Sequence, residues 1–238
     1  MNNATMAIME CSFDVLYLVT VWFLVGLMAK GRPRIALAEK PLAGRILLAF
    51  ALLASGDTFH VGARVLSSII GSERAMASVG GVPSTFIGLG SLATAYTMTG
   101  FYMVLADARK LRSGRKADAA FWAMEILLGL RLVLMALPGN AWERSVAPYG
   151  MGLLRNLPLA AAGFLMAALF IVEGKRDGDR AWAGIGWSML ASYAFYTPVI
   201  LFVARVPALG LLMIPKTIAY LVMGIIAYRR YWGGKAAA

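Results

Sequence analysis

Apolar runs bounded by charged residues, proline and glycine recur along the whole chain. Each is close to the 20 or so residues that a helix needs to cross a bilayer. The pattern predicts seven spans, at about 6–28, 43–68, 82–106, 119–137, 149–172, 181–204 and 208–228. The intervening loops are short, and neither a low-complexity stretch nor a three-plus-three repeat is visible. The expected fold is therefore all-α, a single seven-helix membrane bundle over residues 1–238. No basic residue precedes the first run, as one normally does in a cleaved signal peptide, so this run is expected to remain a helix.

Charge then orients the bundle. Lys30, Arg32, Arg34 and Lys40 follow span 1; Arg109, Lys110, Arg112, Arg115 and Lys116 follow span 3; Lys175, Arg176 and Arg180 follow span 5; Arg229, Arg230 and Lys235 follow span 7. Fifteen of the 23 basic residues thus fall on one side, against Arg74, Arg144 and Arg205 on or near the other. Basic residues collect in cytoplasmic loops, so the N-terminus is expected outside and the C-terminus inside. The pairs Phe121/Trp122 and Tyr231/Trp232 fall where spans 4 and 7 meet the inner interface, where aromatic rings anchor helices.

Composition narrows the function. With 60% hydrophobic residues, 15% charged and a mean hydropathy of +0.71, soluble enzyme folds are excluded. A single cysteine, Cys11, offers no intrachain disulfide, and a single histidine, His60, argues against poly-histidine metal or haem sites, so no metal site is expected. The net charge of +11 would suggest nucleic acid in a soluble chain. Here it follows topology; the expected partner is the lipid bilayer of a plasma (inner) membrane, with no nucleic acid. Homo-oligomerisation stays open.

Eight ionisable residues lie inside or just within the spans: Asp14, Asp57, His60, Arg64, Glu125, Arg131, Arg155 and Lys216. A lipid-facing charge at a helix centre costs roughly 2.5–3.5 kcal/mol or more, so all eight should face the bundle interior, pair, or touch water. All but Glu125 fall in the outer half. At 100° per residue Asp57, His60 and Arg64 share one face of span 2 within about 60°. Ser188, Ser192 and Tyr196 form a stripe on span 6, and Lys216 and Tyr220 share a face of span 7. Glu125 and Arg131 are about 120° apart on span 4 and are expected to serve different neighbours. Pro158, Pro198 and Pro215 would free carbonyls near Leu154, Ala194 and Leu211, which kinks lining a cavity could use.

The expected site is an outward-facing polar cavity built by spans 1, 2, 4, 5, 6 and 7. Arg64, Arg131, Arg155 and Lys216 would engage a small anionic or amphipathic ligand, because guanidinium forks match carboxylate and phosphate and stay protonated. Asp14, Asp57 and His60 would balance charge or relay protons; Tyr193, Tyr196 and Tyr220 would shape the walls. A receptor or transporter fits this best, and no catalytic set is assigned. The structural alternative is that Asp57 pairs with Arg64 or Arg131, and Asp14 with Arg155 or Lys216, only to fix helix packing. Another alternative is an intramembrane hydrolase using Asp57 and His60, although a catalytic zinc needs three protein ligands.

Two resemblances add to this. Ile214-Pro215-Lys216-Thr217 ahead of Arg229-Arg230, with Tyr193-Ala194-Phe195-Tyr196-Thr197-Pro198 in span 6, resembles rhodopsins. That resemblance implies retinal on Lys216 as a Schiff base with Asp57 or Asp14 as counter-ion; otherwise no cofactor is expected. The sequence departs from the microbial pattern in having no carboxylate in the body of span 3 and Leu212 one turn before the lysine. A closer resemblance is to a group of uncharacterised bacterial seven-span proteins. It rests on Gly56-Asp57-Thr58-Phe59-His60 with Arg64, Leu137-Pro138 with Asn140-Ala141-Trp142, Arg155-Asn156-Leu157-Pro158, Phe195-Tyr196-Thr197-Pro198, and Met213-Ile214-Pro215-Lys216-Thr217. Where that group tends to carry a proline before the span-2 arginine, this chain has Ala63. The resemblance implies the topology and carries no activity.

Overall fold

The computed structural model describes residues 3–114 and 116–233, with side chains from Cys11 onward. Arg115 and Lys235 of the basic segments lie outside the described residues. The chain folds as an all-helical bundle of α1 (Asn3–Gly31), α2 (Lys40–Ile70), α3 (Phe86–Ser113), α4 (Ala119–Ala136), α5 (Tyr149–Arg176), α6 (Arg180–Phe202) and α7 (Met213–Tyr231). Among the described residues, six of these helices are long and apolar enough to cross a membrane, the pattern of a multi-pass membrane protein.

The helix outside that set is α3. Its first half reads Gly-Leu-Gly-Ser-Leu-Ala-Thr-Ala-Tyr-Thr, and it packs against α2, α4 and α5. A helix surrounded by protein can carry small and hydroxyl residues that lipid would not favour, because neighbouring helices satisfy them. Thr94, for example, donates to the carbonyl of Gly56 on α2 at 2.6 Å.

Two expected boundaries are corrected. Residues 82–85 do not begin a helix; they form strand β2 (Val82–Thr85), paired antiparallel with β1 (Met76–Val79) through Gly80-Gly81. Both glycines have positive φ, +57° and +83°, the backbone that a two-residue hairpin turn requires. Thr85 then caps α3 by accepting from the Gly88 amide at 3.1 Å. At span 7, residues Pro207–Leu212 form a 3₁₀ segment, and α7 begins only at Met213. Pro215 therefore sits in the first helical turn, where its missing N–H costs nothing, and does not kink the helix. Pro158 and Pro198 do lie inside α5 and α6.

The core is one continuous cluster of buried apolar side chains drawn from all seven helices, with Phe50, Phe101, Tyr102 and Tyr220 meeting edge to face near its centre. Close helix approach is set by glycine. A Cβ at Gly163 would collide with the Tyr193 ring, and one at Gly174 with the Ala183 backbone, so α5 and α6 meet almost backbone to backbone.

The two ends of the bundle differ. At the end holding the α1–α2, α3–α4 and α5–α6 connections and the close of α7, ion pairs tie the helices together. Arg109 donates to both oxygens of Asp118 at 3.0 and 2.8 Å and to Glu173 at 2.6 Å; Arg112 reaches Asp177 at 2.9 Å; Arg230 reaches Glu39 at 3.2 Å. We refer to this as the basic end. Glu125 lies near it, in a groove with Arg45, Asp107 and Phe121, well away from Arg131. Of the aromatic pairs expected to anchor the interface, Trp122 is exposed, but Phe121 and Tyr231 are buried and pack inward.

A cationic candidate binding cavity

At the opposite end the helices diverge around a cavity of about 550 Å³, within the usual range for small-molecule sites. All ten residues singled out from the sequence line it: Asp14, Asp57, His60, Arg64, Arg131, Arg155, Tyr193, Tyr196, Lys216 and Tyr220. One part of the expectation is corrected. Helix α3 also builds the wall, through Ile87, Ser91, Thr94, Ala95 and Met98, so the cavity is not confined to the other six helices.

The pairings inside differ from those of the structural alternative. Asp57 bonds neither Arg64 nor Arg131; it accepts a short hydrogen bond from the Tyr17 hydroxyl on α1. Asp14 lies 3.6 Å from Arg64, not against Arg155 or Lys216. His60 Nδ1 is 3.5 Å from Ser91 Oγ, a hydroxyl that donates to the Ile87 carbonyl at 2.8 Å. Ser91 is thus not held by histidine as a nucleophile would be. Among the described residues no group of three or more His, Cys, Asp or Glu side chains is placed to hold a metal.

Three cations converge on the other wall. Arg131, on α4, is only 3% exposed; its one hydrogen bond among the described residues runs from a terminal guanidinium nitrogen to Thr99 Oγ1 at 3.1 Å, and its Nε has no partner. Thr99 can accept because its own hydroxyl is spent on the Ala95 carbonyl at 2.8 Å. Lys216, on α7, places its ammonium 4.7 Å from the Tyr196 ring centroid and 5.5 Å from that of Tyr220. Among the described residues, no carboxylate forms an ion pair with Arg131, Arg155 or Lys216. Tyr196 stands between them, within electrostatic range of both Arg131 and Arg155.

Arg155 is held by a loop the sequence flagged without assigning it a role. Asn140 is fully buried, and its amide nitrogen donates to the carbonyls of Leu134, Met135 and Leu137, closing the end of α4. Its free oxygen accepts from Arg155 at 3.0 Å. Trp142, anchored by its indole N–H on the Met135 carbonyl at 3.0 Å, lies under the guanidinium at 4.0 Å. A planar fork held by one ring face and one hydrogen bond has its rotamer freedom restricted.

Tyrosines complete the wall. Tyr102 and Tyr220 share a hydrogen bond of 2.7 Å, and Tyr193 donates to the Leu159 carbonyl at 3.1 Å. Arg155, Asn156 and Leu159 line the cavity, and Pro158 lies inside α5 between them. Sequence reasoning missed Tyr17, Thr99, Asn140 and Trp142 as site residues. Tyr17 could have been found, since it lies three residues beyond Asp14 and shares its helix face. No protein-family model matches the chain, and neither a curated protein nor a solved structure matches it.

Proposed function

We propose that this is a seven-span membrane protein, N-terminus outside, whose outward-facing cavity binds a small organic anion, as a receptor or transporter in a bacterial-type inner membrane. The orientation is supported by the concentration of Lys and Arg at the basic end, opposite the cavity. One observation carries the binding role: Arg131 is buried against the cavity with a neutral hydroxyl as its single hydrogen-bond partner among the described residues. A buried cation without a counter-charge is costly unless something supplies one. A bound carboxylate or phosphate ester would do so, and Arg155 and Lys216 stand ready to share it.

The test is equilibrium binding of a panel of small carboxylates and phosphate esters to purified protein, beside Arg155→Ala. That variant should fold normally and lose binding; undiminished binding would sink the proposal. Flux of the bound compound through proteoliposomes identifies a transporter, and binding without flux a receptor. A second reading keeps retinal on Lys216, favoured by the amine's position over two tyrosine rings with Asp57 and Asp14 in the same cavity. Expression with retinal gives a red-shifted band lost in Lys216→Ala if that reading holds, and no band in folded protein if it does not.

A further inference from the structure

Beyond its net charge, the cavity has two arms of opposite sign. The Arg131, Arg155 and Lys216 arm belongs to α4, α5 and α7. On the facing wall, Asp57 of α2 bears a carboxylate whose single hydrogen bond among the described residues comes from Tyr17. A carboxylate offers about four acceptor positions; Lys216 is within electrostatic range of this one, but among the described residues no Lys, Arg or His lies within ion-pair distance of it. Asp14 does not alter this balance, because it stands against Arg64. Phe13 and Tyr17 line the same arm and add ring faces of the kind that attract ammonium groups.

An inorganic anion would satisfy the cations but leave Asp57 unanswered and most of the 550 Å³ empty. A plain carboxylate would fill more space and still leave Asp57 with no cation at ion-pair distance. A neutral zwitterion would meet both arms but would not offset three cations set against one carboxylate. We infer that the ligand is an acidic amino acid, its ammonium held at Asp57 and its carboxylates at the Arg131, Arg155 and Lys216 arm. This inference rests on the reading of the cavity as an anion site and adds the chemical class.

L-glutamate and glutarate are the deciding pair, since they share two carboxylates and differ by the ammonium. Binding of each is measured on the full-length protein in lipid nanodiscs, for wild type, Asp57→Asn and Arg131→Gln. The wild type should bind glutamate about tenfold or more tighter than glutarate, the range of one charge-assisted contact. Asp57→Asn, which keeps an acceptor for Tyr17, should bring the two ligands within about twofold of each other; Arg131→Gln should weaken both. Equal binding of both ligands by the wild type, both weakened in Arg131→Gln, would overturn the amino-acid assignment and leave the anion site standing. A glutamate preference that survives Asp57→Asn would overturn it as well. If neither ligand binds the wild type, the assignment is wrong, and the carboxylate and phosphate-ester panel alone decides whether the anion site survives. The wild-type comparison needs no variant, so a folding defect in Asp57→Asn does not remove the test.

Discussion

Two buried arginines, one at each end of the bundle, have opposite fates. Arg109 at the basic end is 6% exposed and saturated: it holds Asp118 with two parallel bonds and Glu173 with two more. Arg131 in the cavity is 3% exposed and has, among the described residues, one neutral hydrogen-bond partner. Burial is nearly the same, so the difference lies in what the chain supplies around each. Where an arginine serves to tie helices together, this protein places carboxylates beside it. Where it does not, as at Arg131, no carboxylate among the described residues stands within ion-pair distance.

The comparison breaks most sharply under substitution by a residue of similar shape. Arg109→Met should destabilise the bundle by about 3–5 kcal/mol, because Glu173, only 9% exposed, is left as a buried carboxylate without its partner. Arg131→Met should leave the thermal midpoint unchanged or raise it, since no charged partner is stranded and the desolvation cost disappears. Thermal unfolding of the two variants in the same detergent checks both. Equal losses would erase the distinction between the two ends.

Next in size is the setting of Arg155. Asn140→Ala removes its hydrogen-bond acceptor and three bonds that close α4, so binding should fall about tenfold with a stability loss of about 1–3 kcal/mol. Trp142→Leu should weaken binding less, by the roughly 0.5–1 kcal/mol of a partly exposed cation–π contact, with the fold intact. Titration calorimetry with a bound carboxylate ranks the two.

The smallest effect belongs to the basic end. Hydrogen bonds from Arg109 hold the Asp118 carboxyl well below its ordinary range, at about 2. Its folded pKa is thus depressed below the unfolded value of about 3.9. The stabilisation it contributes is present above pH 4 and is lost as pH falls towards 2. Asp118→Asn should keep the cap on the Phe121 amide, lower stability modestly at pH 7 where the ionised carboxylate contributes, and flatten the acid limb of stability below pH 4. An unchanged acid limb would mean that the Arg109 bridge contributes nothing there.

Much of this site was legible in the sequence, because a charge within an apolar run must turn inward wherever the run crosses lipid. That single constraint brought Asp57, His60, Arg64, Arg131, Arg155 and Lys216 to one cavity without any knowledge of packing. What escaped was of two kinds. Thr99 and the rest of the α3 wall carry no charge, and a threonine within a span reads equally well as helix packing. Asn140 and Trp142 act from a loop, where periodicity has no hold; their roles follow only from the fold of the residues after α4. The partners inside the cavity were also out of reach, since pairing Asp57 with Tyr17 in place of an arginine depends on rotations of α1 and α2 that helix faces alone do not fix. At the boundaries, Gly80-Gly81 signalled a turn, yet the apolar character of Val82 drew the expected helix four residues too far.

The central claim is that the cavity lacks the negative charge its cations need. The most direct measurement is the thermal midpoint of wild type and Arg131→Met across a titration of small organic anions, because a ligand that binds only the folded state raises stability by about 2.7 kcal/mol at a hundred times its dissociation constant. Wild type should show a saturable rise with at least one carboxylate or phosphate ester, and Arg131→Met none despite an equal or higher starting midpoint. A variant that responds as the wild type does, or that melts far lower without ligand, would contradict that claim.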